Sequence, residues 1–132
     1  MAYLKVAGRV DVPADRAAKM AKDPELLSHW LDGVVVAGLG DDRTRWAVGE
    51  TEFDVLRLPT GDKHLIRWRA LSGQRHTGVV RFKPRGASTD VVIEVAWDGG
   101  HARALRRRLK DALRDFAFEA VRLPELSLQQ TS

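Results

Sequence analysis

Six short runs between Val34 and Trp97, each bounded by turn-forming residues, restrict the architectures open to this chain more than any other feature. They span Val34 to Leu39, Arg43 to Val48, Thr51 to Leu58, His64 to Leu71, His76 to Lys83 and Thr89 to Trp97. Between them lie GDD (Gly40 to Asp42), Gly49-Glu50, PTGD (Pro59 to Asp62), SGQ (Ser72 to Gln74) and PRGAS (Pro84 to Ser88). Their glycines, prolines and short polar side chains favour reversal of the backbone. Parallel strands need long crossovers, so connections this short predict an antiparallel meander.

The flanks add one strand and three helices. Tyr3 to Val12 alternates, with Leu4, Val6, Val10 and Val12 on one side and Lys5, Arg9 and Asp11 on the other, the period of a strand with one wet face. Pro13 ends it. Ala14 to Lys22 is rich in helix formers, and Asp23-Pro24 provides a cap and first-turn proline for a second short helix through Leu31, stopped by Gly33. After Asp98-Gly99-Gly100 a long helix is expected from about His101 to Leu123. At ~100° per residue, Leu105, Leu109, Ala112, Leu113, Phe116, Ala120 and Leu123 share one sector, so one side only is buried. Arg103, Arg106, Arg107, Lys110 and Arg114 share a second, and Asp111, Asp115 and Glu119 a third.

The apolar faces are all satisfied by an α+β helix-grip arrangement: a curved antiparallel sheet of seven strands, two short helices, and the long helix closing the concave face. One helix does not fill so curved a sheet, and the leftover space is expected to be a ligand cavity. The 132 residues suffice for one domain, expected over residues 1–124, with 125–132 as a frayed tail. The absence of cysteine excludes disulfides, thiolate catalysis and cysteine-based metal centres. With no signal-peptide-like or membrane-length apolar run, a cytoplasmic location is expected. The net charge of +4 favours an acidic partner without selecting one.

The stretch IRWRALSGQRHTGVVRFKP, from Ile66 to Pro84, decides between two kinds of partner. In a strand, neighbours point to opposite faces. Ile66, Trp68 and Ala70, then His76, Gly78, Val80 and Phe82, share one face; Arg67, Arg69, Arg75, Arg81 and Lys83 share the other. Single-strand nucleic-acid binders need rings and cations on one surface, so nucleic acid is not expected as a partner. If Ala70 pairs with His76 across the turn, Trp68 lies opposite Gly78, whose missing side chain leaves room for the indole.

In their succession these pieces resemble the START-like superfamily, the polyketide cyclase/dehydrase or SRPBCC type. The resemblance rests on the opening strand running into VPAD (Val12 to Asp15), DPELLSHWLDGV (Asp23 to Val34), RTRWAV (Arg43 to Val48), LPTGDKHLIRWRALSG (Leu58 to Gly73), GVVRF (Gly78 to Phe82), TDVVIEV (Thr89 to Val95) and the terminal helix. It implies a deep apolar cavity between sheet and helix that takes lipids, sterols, quinones, hormones or polyketide chains in different members. Some members cyclise or dehydrate aromatic polyketides and others only bind. No universal catalytic motif exists to be carried over to positions here.

The expected lining is Leu27, Trp30, Trp46, Phe53, Trp68, His76, Val80, Phe82, Ile93, Leu109 and Phe116, with Trp97 a further ring. The resemblance turns Trp30 and Trp68 towards the cavity. An indole offers bulk and one N–H donor, though each ring taken singly reads first as core filling. His76 is the candidate general base; as a plainer alternative it is a structural or solvated imidazole. Thr44 shares the Trp46 face and could supply one polar contact, with a hydroxyl bonded to nearby backbone the plainer reading. Asp41-Asp42 read as a hairpin turn rather than a carboxylate pair. His29, His64, His76 and His101 show no metal-site spacing, and neither metal nor cofactor is expected.

Three functions follow in order: binding of a hydrophobic or aromatic small molecule, a polyketide cyclase-like reaction, and an adaptor that meets an acidic protein or anionic membrane through Arg103, Arg106, Arg107, Arg108, Lys110 and Arg114. Against the adaptor stands a solvated helix face with Arg107–Asp111, Asp111–Arg114 and Glu119–Arg122 as pairs. Monomer and homodimer are both compatible with the pattern.

Overall fold

Every run with a two-residue period becomes a strand. The computed structural model describes residues 2–23, 34–40, 42–48, 51–73 and 75–122. In them the chain forms β1 (Ala2–Val10), α1 (Ala14–Lys22), β2 (Val34–Gly40), β3 (Arg43–Val48), β4 (Thr51–Leu58), β5 (Leu65–Ala70), β6 (His76–Arg85), β7 (Ser88–Trp97) and α2 (Ala102–Arg122). The sheet has the order β1-β7-β6-β5-β4-β3-β2 with antiparallel pairing throughout. Thus β2 to β7 form the meander, and β1 joins it on the far side of β7. The expected second helix, with Leu27 and Trp30, and the expected tail lie outside the described residues.

Three boundaries move for local reasons. β6 runs on through Pro84 and Arg85, which pair with Thr89 and Ser88, so PRGAS is not a five-residue loop. The turn contracts to Gly86-Ala87, with Gly86 at φ 63°, the positive φ that a two-residue hairpin demands of its first residue. β5 starts one residue late because the Asp62 carboxylate accepts the His64 amide at 2.9 Å, and the Asp62 carbonyl accepts that of Leu65. β1 stops at Val10, and the Val12 carbonyl instead accepts the hydroxyl of Thr89 at 2.7 Å.

The core gathers at one end of the sheet's inner face. It joins Val6, Val10 and Val12, the α1 residues Ala14, Ala17, Ala18 and Met20, the strand residues Phe82 and Val91, and Leu113, Phe116 and Ala120 of α2. Alanines along α1 let its backbone lie close over β5 to β7. Asp15, in the first turn of α1, meets His64 at 2.6 Å and Lys63 at 3.2 Å, which fixes α1 to the β4–β5 loop. The His64 hydrogen bond first, then Lys63, holds its carboxyl below the usual range.

α2 departs from the expected position. It packs chiefly along the edge strand β1 rather than across the middle of the concave face. Gly8 explains the seat: a Cβ there would lie 3.1 Å from Cδ2 of Leu113, so a bare backbone admits the helix. Of the expected helix pairs, Asp111–Arg114 and Glu119–Arg122 form at 3.5 and 3.3 Å, whereas Arg107–Asp111 does not. The Arg114 guanidinium lies between Asp111 and Asp115 instead.

Thr89 is the one buried polar side chain of the described core, with no exposed surface. Thr89→Val keeps the shape and leaves the Val12 carbonyl without its donor, at an expected cost of about 1–3 kcal/mol. A urea titration reads this as a lower midpoint at unchanged slope. A change under about 0.5 kcal/mol would mean that the carbonyl finds another donor.

Candidate functional site

Cross-strand partners point to the same face, so the register assigns every side chain of the sheet to one side or the other. The inner face is the one that Gly8 presents to Leu113. From β1 it carries through Gly8↔Val91, Val91↔Phe82, Val80↔Ile93 and Ile66↔Val80, then through Trp68↔Gly78 and Val55↔Ala70 to Thr44↔Val55 and Trp46↔Phe53. His76 pairs with Trp97 on the same side. The outer face holds Arg67, Arg69, Arg81 and Lys83, all exposed. Three of its carboxylates are engaged: Asp54 by Arg45 at 2.9 Å, Glu94 by the Tyr3 hydroxyl and Arg81, and Asp90 by Arg85 and Arg9. Hydrogen bonds from these partners hold Asp54, Asp90 and Glu94 below the usual carboxylate range. The tryptophan and phenylalanine rings of the described strands and the guanidiniums of Arg67 and Arg69 thus occupy opposite sides of one sheet.

Away from the core, the inner face carries a line of rings. Trp46 and Phe53 stack at 6.3 Å with planes 8° apart; His76 meets the Phe53 ring edge-on at 5.4 Å and the Trp97 ring at 5.5 Å. All four are half-buried. Gly73, at φ 76°, makes room for this line, since a Cβ there would sit 2.8 Å from Cβ of Phe53. Trp68 stands opposite Gly78, and a Cβ at Gly78 would lie 2.0 Å from its Cζ2. The indole therefore lies flat over the glycine backbone.

The donors divide unevenly. Trp46 Nε1–H donates to Thr44 Oγ1 at 3.0 Å, so the hydroxyl expected to meet a ligand or the backbone satisfies an indole instead. Trp97 Nε1–H donates to the Gly100 carbonyl at 3.0 Å. Among the described residues nothing accepts from Trp68 Nε1, which leaves that half-buried indole with a donor to offer.

Of the other expected lining residues, Val80, Ile93 and Leu109 are half-buried at the margin of the core. Phe82 and Phe116, 2% and 3% exposed, lie inside it. Leu27 and Trp30 fall outside the described residues. Sequence reasoning missed Arg57, the partner of Trp68 across β4 and β5. Its guanidinium pairs with Asp42 at 2.8 Å and donates to the Lys22 carbonyl. A hollow of about 240 Å³ opens there, bordered by Lys22, Asp42, Arg57 and Thr60. The alternation Phe53, Val55, Arg57 was the available signal. Among the described residues no three His, Asp or Glu side chains gather as metal ligands, and no helix is long and apolar enough to cross a membrane.

No protein-family model and no curated protein sequence matches the chain. Solved structures do match. The di-domain ARO/CYC protein StfQ of the steffimycin biosynthetic pathway superposes with a TM-score of 0.78 at 18% identity, over 92% of this chain and 46% of its own. BexL, the di-domain ARO/CYC protein of the BE-7585A pathway, gives 0.74 at 18% identity, over 93% and 47%. A Deinococcus radiodurans protein gives 0.69 at 23% identity, over 89% and 96%. The chain therefore shares the α+β fold of these structures.

Proposed function

We propose that the protein binds a hydrophobic or aromatic small molecule against the inner face of β3 to β7. The observation that carries this reading is the half-buried line Trp46, Phe53, His76 and Trp97 beside Trp68, whose indole N–H lacks an acceptor among the described residues. Burial of apolar surface supplies the affinity, at roughly 25 cal/mol per Å², and the Trp68 donor orients a ligand carbonyl or hydroxyl. Val80, Ile93 and Leu109, half-buried at the margin of the core, complete the wall in this reading. The protein works in the cytoplasm, as monomer or homodimer, and nucleic acid is not its partner.

Titration with a hydrophobic fluorescent probe is expected to saturate, and Trp68→Ala to weaken it about ten-fold, as removal of a large ring and its donor does. Native mass spectrometry of the purified protein is expected to detect a co-purified apolar compound. Linear, unsaturable titration together with an empty mass spectrum would dismiss the reading.

A cyclase-like reaction is the second reading, favoured by the position of His76 between Phe53 and Trp97 and by a fold shared with ARO/CYC proteins. There the inner face holds a reactive chain in a near-attack geometry and His76 takes up a proton. It requires that His76→Ala abolish turnover at near-normal affinity.

A further inference from the structure

The first half of α2 concentrates positive charge where a helix tolerates it least. Arg103, Arg106, Arg107, Arg108 and Lys110 precede its first carboxylate, Asp111, and the first turn holds no acid at all. The helix N-terminus is itself the positive end of the macrodipole, and like charges three and four residues apart repel. Elsewhere the described arginines often meet carboxylates, but Arg103, Arg106, Arg107 and Lys110 meet none among the described residues. These four side chains border an open hollow of about 210 Å³. An external anion would relieve both the mutual repulsion and the conflict with the dipole.

The same side of the helix changes character further on. At ~100° per residue, the four cations, Arg114, Phe118 and Val121 fall within an arc of about 120°. Phe118 is 65% exposed and Val121 52% exposed, although Phe116 and Ala120 beside them are buried. A convex stripe of cations ending in exposed apolar side chains matches a bilayer interface, which offers phosphates and an apolar layer within one side chain's reach. An acidic peptide would use the cations and leave Phe118 and Val121 unexplained.

We infer that this stripe of α2 docks the protein on an anionic bilayer, with Arg103, Arg106, Arg107 and Lys110 on headgroup phosphates and Phe118 and Val121 entering the interface. Each cation near such a surface contributes about five-fold in affinity. The inference is independent of what the inner face binds.

The test is sedimentation with phosphatidylglycerol/phosphatidylcholine vesicles, against pure phosphatidylcholine and against soluble polyglutamate. Binding to the anionic vesicles alone is expected. Arg106→Glu with Arg107→Glu should reduce it at least about 25-fold, and Phe118→Ser with Val121→Ser about ten-fold. Arg67→Glu with Arg69→Glu, the same charge change on the outer sheet face, should stay within about three-fold of the parent. The milder pair Arg103→Gln and Lys110→Gln should also weaken binding, which guards against a folding defect in the reversal variant. Equal losses from both reversals would reduce the effect to net charge and overturn the inference. So would absence of vesicle binding, or polyglutamate binding as tight as vesicle binding with the serine variant unimpaired.

Discussion

Phe116→Ala is expected to destabilise the protein by about 3–5 kcal/mol, the usual cost of deleting a buried aromatic side chain. The ring is 3% exposed within the cluster that joins α2 to Val10 of β1 and to α1, so its loss opens a cavity that neighbouring elements cannot all move to fill. Against a typical domain stability of about 5–15 kcal/mol this is a large fraction. Calorimetry should find the melting midpoint lower by more than about 10 °C. Phe118→Ala, two residues on and 65% exposed, should stay within about 0.5 kcal/mol of the parent. Similar effects from the two substitutions would mean that α2 is not seated as described.

Gly78→Ala is the second large effect. Its methyl carbon would lie 2.0 Å from Cζ2 of Trp68, a separation no non-bonded pair of carbon atoms can keep. Either the indole leaves the inner face or β5 and β6 move apart, at about 1–3 kcal/mol or more, the cost of overpacking. The cause can be isolated with a double-mutant cycle. In a Trp68→Ala background, Gly78→Ala should cost less than about half as much, a coupling that only direct contact produces. Independent, additive costs would contradict the flat packing of the indole on the glycine.

The juxtaposition of Trp68 with Gly78 could be read from the sequence because a two-residue period and a hairpin turn leave few registers open. For the same reason β3 and β4 begin and end where alternation starts and stops, and the apolar sector of α2 is the side that becomes buried. What could not be read is depth. Phe82 and Trp68 share one face by parity, yet Phe82 is 2% exposed in the cluster with the α1 alanines and Trp68 is only half-buried, a difference set by packing between elements distant in sequence. Side-chain partnering was equally hidden: that Thr44 accepts from Trp46 depends on rotamers, and Arg57 on the inner face is stable because Asp42, from another turn, reaches its guanidinium. The seat of α2 over β1 depended on one missing side chain at Gly8, which in the sequence is simply a glycine within a strand.

The sheet order carries a consequence for how the molecule comes into being. Among the described strands β1 stands at the end of the sheet and pairs with β7 alone, so the first of the seven to be made has nothing to pair with until the last of them has followed it. During that interval the meander can assemble hairpin by hairpin while an alternating apolar ribbon waits unpaired. Closing that long circuit is the slow event to be expected in maturation, and the waiting ribbon is the place where newly made chains would be caught by one another or by a chaperone.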